Sequence, residues 1–202
     1  INLTDGGSGT GDVDFGALDT VIGNYRSHSN IQTAVSFVPY SGDTIVIDSD
    51  TELGYFLTHI GDNNNLTLDN QLITVNSSVA VSAAQANLLT ADTSGTVTAT
   101  IDTTQTVAQL AELEADGGSN ALTIAIKSGD AQNCTAAQLN AINAATSVDV
   151  DLDNVTALAS SNLTDLATLH TNLAGFSNTG NIATINLTDG GSGTGDVDFG
   201  AL

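Results

Sequence analysis

The first eighteen residues of this chain, INLTDGGSGTGDVDFGAL, return without a mismatch at residues 185–202. No other property constrains the fold so strongly. An identity of that length comes from tandem duplication, so residues 1–184 read as one complete repeat unit and residues 185–202 as the start of the next. A chain of this kind is expected to be a piece of something longer. Its copies would join head to tail.

A shorter period lies inside the repeat. SAAQANLL (82–89), TVAQLAEL (106–113) and TAAQLNAI (135–142) share the form [ST]-x-A-Q-x-x-x-[LI]. Ser82, Thr106 and Thr135 are natural N-caps followed by good helix formers, which predicts helices of two to three turns. Helices that short need tertiary support. SNLTDLATL (161–169) and DTELGYFLTHI (50–60) extend the set. Between the helices run segments of alternating polarity at 42–48, 65–69, 96–102, 121–127, 148–154 and 182–189, each predicting a strand. Val97, Ala99 and Ile101 align with Leu122, Ile124 and Ile126, and these with Val148, Val150 and Leu152.

A strand, a turn, a short helix and a turn, recurring about every 25 residues, predict an α/β solenoid. Its parallel β-sheet of stacked strands carries short helices on the other side, with about six or seven coils per 184-residue repeat. At roughly 4.8 Å per strand step, one copy would be about 30 Å long. The spacing loosens after Asn154 and through the start of the next copy to Asp43, where glycines and the single proline, Pro39, fall. A β-sandwich tandem domain is the alternative architecture, and the helical segments argue against it.

Charge narrows the partners. Two cations, Arg26 and Lys127, stand against 23 carboxylates, for a formal net charge of −21. Such a chain cannot neutralise phosphates, so no nucleic acid is expected as a partner. It cannot dock on an anionic membrane either, and no run of 18 apolar residues predicts membrane insertion. Hydrophobic residues still make up 41%, enough for an ordered core, but aromatics are 4% and Trp and Met are absent. The core should therefore be thin and aliphatic. Cys134 is alone, so no intrachain disulfide framework exists.

Of the acids, 20 are Asp and 3 are Glu. Aspartate favours turns, helix caps and hard-cation coordination. Asp149, Asp151 and Asp153 alternate with Val148, Val150 and Leu152, which throws three carboxylates onto one outward face. Water, salt or a divalent cation must relieve their repulsion, so the triplet reads either as a solvated face or as a calcium site. Asp48, Asp69, Asp102 and Asp189 each close a strand and would stack at one corner, accepting backbone N–H bonds or bridging a metal. His28, His59 and His170 lack zinc-site spacing, and no nucleophile elbow appears. A polysaccharide lyase would need a base beside its substrate's carboxylates, for which two cations leave little provision. No enzyme activity, catalytic residue or organic cofactor is expected.

The glycine stretch DGGSGTGDVDF resembles the calcium-binding nonapeptide of RTX proteins, GGxGxDxUx. Gly6, Gly7 and Gly9 fit, as do Gly190, Gly191 and Gly193 in the second copy, while Gly11 is inserted before Asp12. The resemblance implies calcium held by Asp5, Asp12 and Asp14, and by Asp189, Asp196 and Asp198. One such stretch per repeat excludes a full RTX stack, and the same residues also read as a Gly/Ser turn held by aspartates. At the level of architecture the chain resembles giant tandem-repeat cell-surface and extracellular proteins of bacteria: RTX adhesins, S-layer proteins and matrix filaments. That likeness implies an extracellular or cell-surface structural repeat unit, with calcium as cofactor and further copies of itself as partners. Neighbouring filaments or surface glycans are further expected partners. A stalk or ligand-binding module of a calcium-dependent adhesin is the alternative.

Overall fold

The computed structural model describes residues 2–4, 20, 36–38, 44–61, 68, 70–117, 119–130 and 133–188. The chain divides into two compact units, residues 1–100 and 101–202. Their strands are Asn2–Thr4 (β1), Ser36–Val38 (β2), Thr44–Ile47 (β3), Leu72–Val75 (β4), Val97–Thr100 (β5), Ala121–Thr123 (β6), Val150–Asp151 (β7), Ala157–Ser161 (β8), Phe176–Ser177 (β9) and Thr184–Leu187 (β10). The helices are Asp50–Gly61 (α1), Ala83–Asp92 (α2), Val107–Leu110 (α3), Ala136–Ala144 (α4) and Leu163–Thr171 (α5). The architecture is α/β, with a four-stranded parallel sheet in the order β3-β4-β5-β6.

In the first unit the strands are rich in Val, Ile and Thr, the residue types that suit a pleated, half-buried surface. Ile45 and Ile47 in β3, Ile73 and Val75 in β4, and Val97 and Ala99 in β5 turn inward and are buried. The register sets Thr44 beside Leu72 and Ile47 beside Val75, then Ile73 beside Val97. Between β3 and β4 the chain passes through α1, and between β4 and β5 through α2; these two helices pack as neighbours. Separately, β1 and β2 pair in parallel, with Asn2, Leu3 and Thr4 opposite Ser36, Phe37 and Val38.

In the second unit parallel pairing continues beyond the formal strands. The Ile101 N–H donates to the Thr123 carbonyl, the Ile126 N–H to Asp151 and the Leu152 N–H to Ser177. β7 pairs with β9, setting Val150 beside Phe176. A second parallel pair, β8 and β10, sets Leu158 beside Ile185. The helices α3, α4 and α5 pack in succession. Parallel strands that return through helices replace the β-sandwich alternative, which needs antiparallel sheets.

Helix starts follow the sequence closely. Ser82, Thr106 and Thr135 each accept the N–H of the glutamine three residues on at 3.2 Å. Gln85, Gln109 and Gln138 reach back to the cap N–H at 2.9–3.0 Å. These are complete capping boxes, so the Q of the shared motif has a defined physical task. The 161–169 segment starts one residue later than expected: Asn162 is the cap, and Ser161 ends β8 instead. Its buried hydroxyl accepts the Ala136 N–H at 2.9 Å, which satisfies an orphan donor at the head of α4.

The strand expected at residues 65–69 lies outside the described residues apart from Leu68, and the partner of β3 is LITV at Leu72–Val75. That segment alternates poorly because Leu72 is exposed. Pairing against β3 selects it, since Ile73 and Val75 are the apolar residues that reach the core.

The same threonine device tightens a turn in each unit. In TSGTV the Thr93 hydroxyl donates to the Gln71 carbonyl at 2.7 Å. In TSVDV the Thr146 hydroxyl donates to the Leu122 carbonyl at 2.7 Å. Gly95 lies so close to the Gln71 carbonyl that a Cβ there would collide with backbone.

Candidate functional site

Two surfaces carry the chemistry that the fold positions: a polar corner of Asp and Asn at the strand ends, and an apolar face beside β10.

At the polar corner Val150 and Leu152 are buried, Val148 is half-buried, and Asp149 and Asp153 are exposed. The expected alternation of the triplet therefore holds. The carboxylates do not converge on one point. Asp151 Oδ1 accepts the Asp153 N–H at 2.9 Å and the Asn178 amide at 2.7 Å. The Asn181 amide donates to the Asp153 carbonyl at 2.8 Å and meets its Oδ1 at 3.3 Å. Asn154 of the same unit does likewise, donating to the Ile126 carbonyl at 3.0 Å. In the first unit of the chain the Asn76 amide meets Asp48 Oδ1 at 3.3 Å. Asparagine thus stands between aspartates: each amide supplies two donors without charge, so a carboxylate gains a partner and a strand-end carbonyl is satisfied. Asn178 has φ 59°, the only positive φ of a non-glycine among the described residues, a region that asparagine tolerates.

Asp102 accepts the Thr104 N–H at 2.8 Å and its hydroxyl at 2.9 Å, the turn-forming role expected of a strand-closing aspartate. Asp69, Asp5, Asp12, Asp14, Asp189, Asp196 and Asp198 lie outside the described residues, as do Gly6, Gly7, Gly9, Gly190, Gly191 and Gly193. Among the described residues no three His, Cys, Asp or Glu side chains are grouped to hold a metal ion. Sequence reading passed over the asparagines. Their signal was there: Asn154 and Asn181 each bond a carbonyl 28 residues earlier.

Lys127 has a structural setting. Its Nζ donates to the Thr104 carbonyl at 3.1 Å and faces Asp130 at 3.6 Å. Asp130 also accepts the Val107 N–H at the head of α3, at 3.2 Å. Cys134 is buried beside this loop, its thiol 3.5 Å from the Asp130 carbonyl. Burial, reinforced by the Asp130 charge, pushes that thiol up to about 11. A neutral, covered thiol is a poor nucleophile.

The apolar face lies between α5 and β10. Leu158, Leu166, Leu169, Ile182, Ile185 and Leu187 line an open cavity of about 740 Å³. All four residues of β10 are exposed. Among the described residues, no helix is long and apolar enough to cross a membrane.

No protein family, no curated protein and no solved structure matches this chain.

Proposed function

We propose that the strand–turn–helix units wind on as an α/β solenoid and that the chain is a structural repeat unit of an acidic extracellular filament or giant cell-surface protein. Copies join head to tail into a stiff rod, and the work is mechanical rather than catalytic. One observation carries the reading: the duplicated segment is extended in both of its occurrences, as β1 in the first and within β10 in the second. A segment that repeats in sequence and in conformation is what a continuing array needs. Parallel pairing, short capped helices and an aliphatic core support it, since a single strand–turn–helix coil cannot bury its apolar face alone.

The acid shell keeps such rods apart and dissolved. Calcium enters this reading at the glycine stretch, where it would join successive copies. The test is electron microscopy of chains with one, two and four copies. Particle length should rise linearly with copy number; round particles of unchanged length overturn the filament. A thermal midpoint that rises with added Ca²⁺ and falls with chelator would support the calcium junction; a midpoint indifferent to both removes it.

A further inference from the structure

We infer that the apolar face beside β10 is the seat of the next copy, and that the strand which fills it is that copy's counterpart of Ser36–Val38. This deepens the head-to-tail reading above and rests on it. The argument starts from the duplicated residues. Ile185, Asn186, Leu187 and Thr188 are the twins of Ile1, Asn2, Leu3 and Thr4. In the first copy Asn2, Leu3 and Thr4 pair in parallel with Ser36, Phe37 and Val38. The same residues in the second copy carry the same preference. Their partner would be the Ser-Phe-Val of that copy, 34 residues further along, and the 18 residues of the second copy present here stop short of it.

The second copy already pairs backward, through β10 to β8. A β-strand has two hydrogen-bonding edges, and among the described residues β10 is paired through one of them. What a fully flanked strand looks like is visible at β8. Its Ala159 N–H donates to the Cys134 carbonyl, and β10 is its pairing partner. Leu158 there is 1% exposed, whereas its register partner Ile185 is 53% exposed and Leu187 is 44% exposed. The open cavity is thus the place that a following strand would fill, and its apolar lining suits the Phe of that strand, whose counterpart Phe37 stands opposite Leu3, the twin of Leu187.

The experiment compares this chain with one extended by a complete further copy, both carrying Cys134→Ala and Leu187→Cys. The introduced thiol is labelled with a maleimide. Labelling should slow by at least about tenfold in the extended chain, as expected for a thiol that reacts only through local opening. Phe37→Asp in the second copy alone should restore the fast rate. Hydrogen exchange on the extended chain without either substitution gives an independent reading: the Thr188 N–H already bonds Ser161 of β8, so it is the Leu187 amide, on the other edge, that should become protected. Equal labelling rates in the two chains overturn the inference. So does protection in the shorter chain that grows with its concentration, which would assign the face to association of two ends. Loss of protection at Ala183 and Thr188 in the extended chain also overturns it, because the new strand would then replace β8 rather than add to β10. Micrographs of the same extended chain separate the two proposals: rods with a freely labelled thiol sink the seat alone, and compact particles with a protected thiol sink the filament alone.

Discussion

Strands β8 (ALASS) and β10 (TINL) are paired neighbours with opposite surroundings, and the one richer in large apolar and strand-forming residues is the more exposed. Leu158 and Ile185 face each other across the pairing, yet the first is sealed and the second stands open to solvent. Neither difference in hydrophobicity nor strand propensity accounts for this. β8 packs against α4 and pairs with β10, and its closing residue Ser161 even serves the head of α4. Among the described residues β10 has a partner on one side only. The lesson is that burial of a strand's apolar row depends on what lies on each side of it, not on the row itself.

The largest effect expected from this contrast is in the cores of the two strands. Leu158→Ala should destabilise the second unit by about 3 kcal/mol, the cost of a buried cavity, while Ile185→Ala should cost under about 1 kcal/mol. Urea denaturation of the two variants checks this, and equal losses would abolish the distinction between the strands.

A second effect concerns Cys134, whose carbonyl binds β8. Its folded thiol sits near 11 against an ordinary 9.0, so the folded state holds the proton more tightly than the unfolded one. That stability is complete below pH 9 and is lost as pH rises towards 11, on the order of 2 kcal/mol. Denaturation midpoints of the parent should fall across that window more than those of Cys134→Ala. Parallel pH profiles would show the thiol to be irrelevant.

Next in size is the start of α4, the helix that packs behind β8. Thr135→Ala removes half of a capping box and should cost about 1 kcal/mol. Gln138→Ala removes the return bond to the cap N–H and should cost less. Thermal melts followed by circular dichroism rank the two, and a reversed order would assign the box's energy to the glutamine.

The smallest effect belongs to the polar corner. Asp151→Ala gives up the acceptor of the Asp153 N–H and the Asn178 amide, and should cost about 0.5–1 kcal/mol. Exposed Asp149 should tolerate alanine within about 0.5 kcal/mol, with any gain from relieved repulsion fading in salt. Matching losses at both positions would show that charge, not hydrogen bonding, governs this surface.

Much of this molecule was legible from local chemistry. Alternation located β3, β5 and β7 and the buried rows Val97–Ala99–Ile101 and Leu122–Ile124–Ile126, because a pleat sends successive side chains to opposite faces whatever the partner. The motif [ST]-x-A-Q located three helix starts because a cap is completed within four residues. What resisted reading depends on contacts 22–28 residues apart. The asparagine bonds at Asn76, Asn154, Asn178 and Asn181 look like loop composition until a neighbouring strand supplies the acceptor.

The amino-acid order alone determined that the unit repeats, that its elements are short, and where its helices are capped. These are matters of identity and of neighbours along the chain. Tertiary structure alone decided that Leu72–Val75 is the strand beside β3, and that Leu158 is sealed while Ile185 is open. Backbone edges and apolar surfaces gain a value only from what lies across from them, and no stretch of sequence states its own partner.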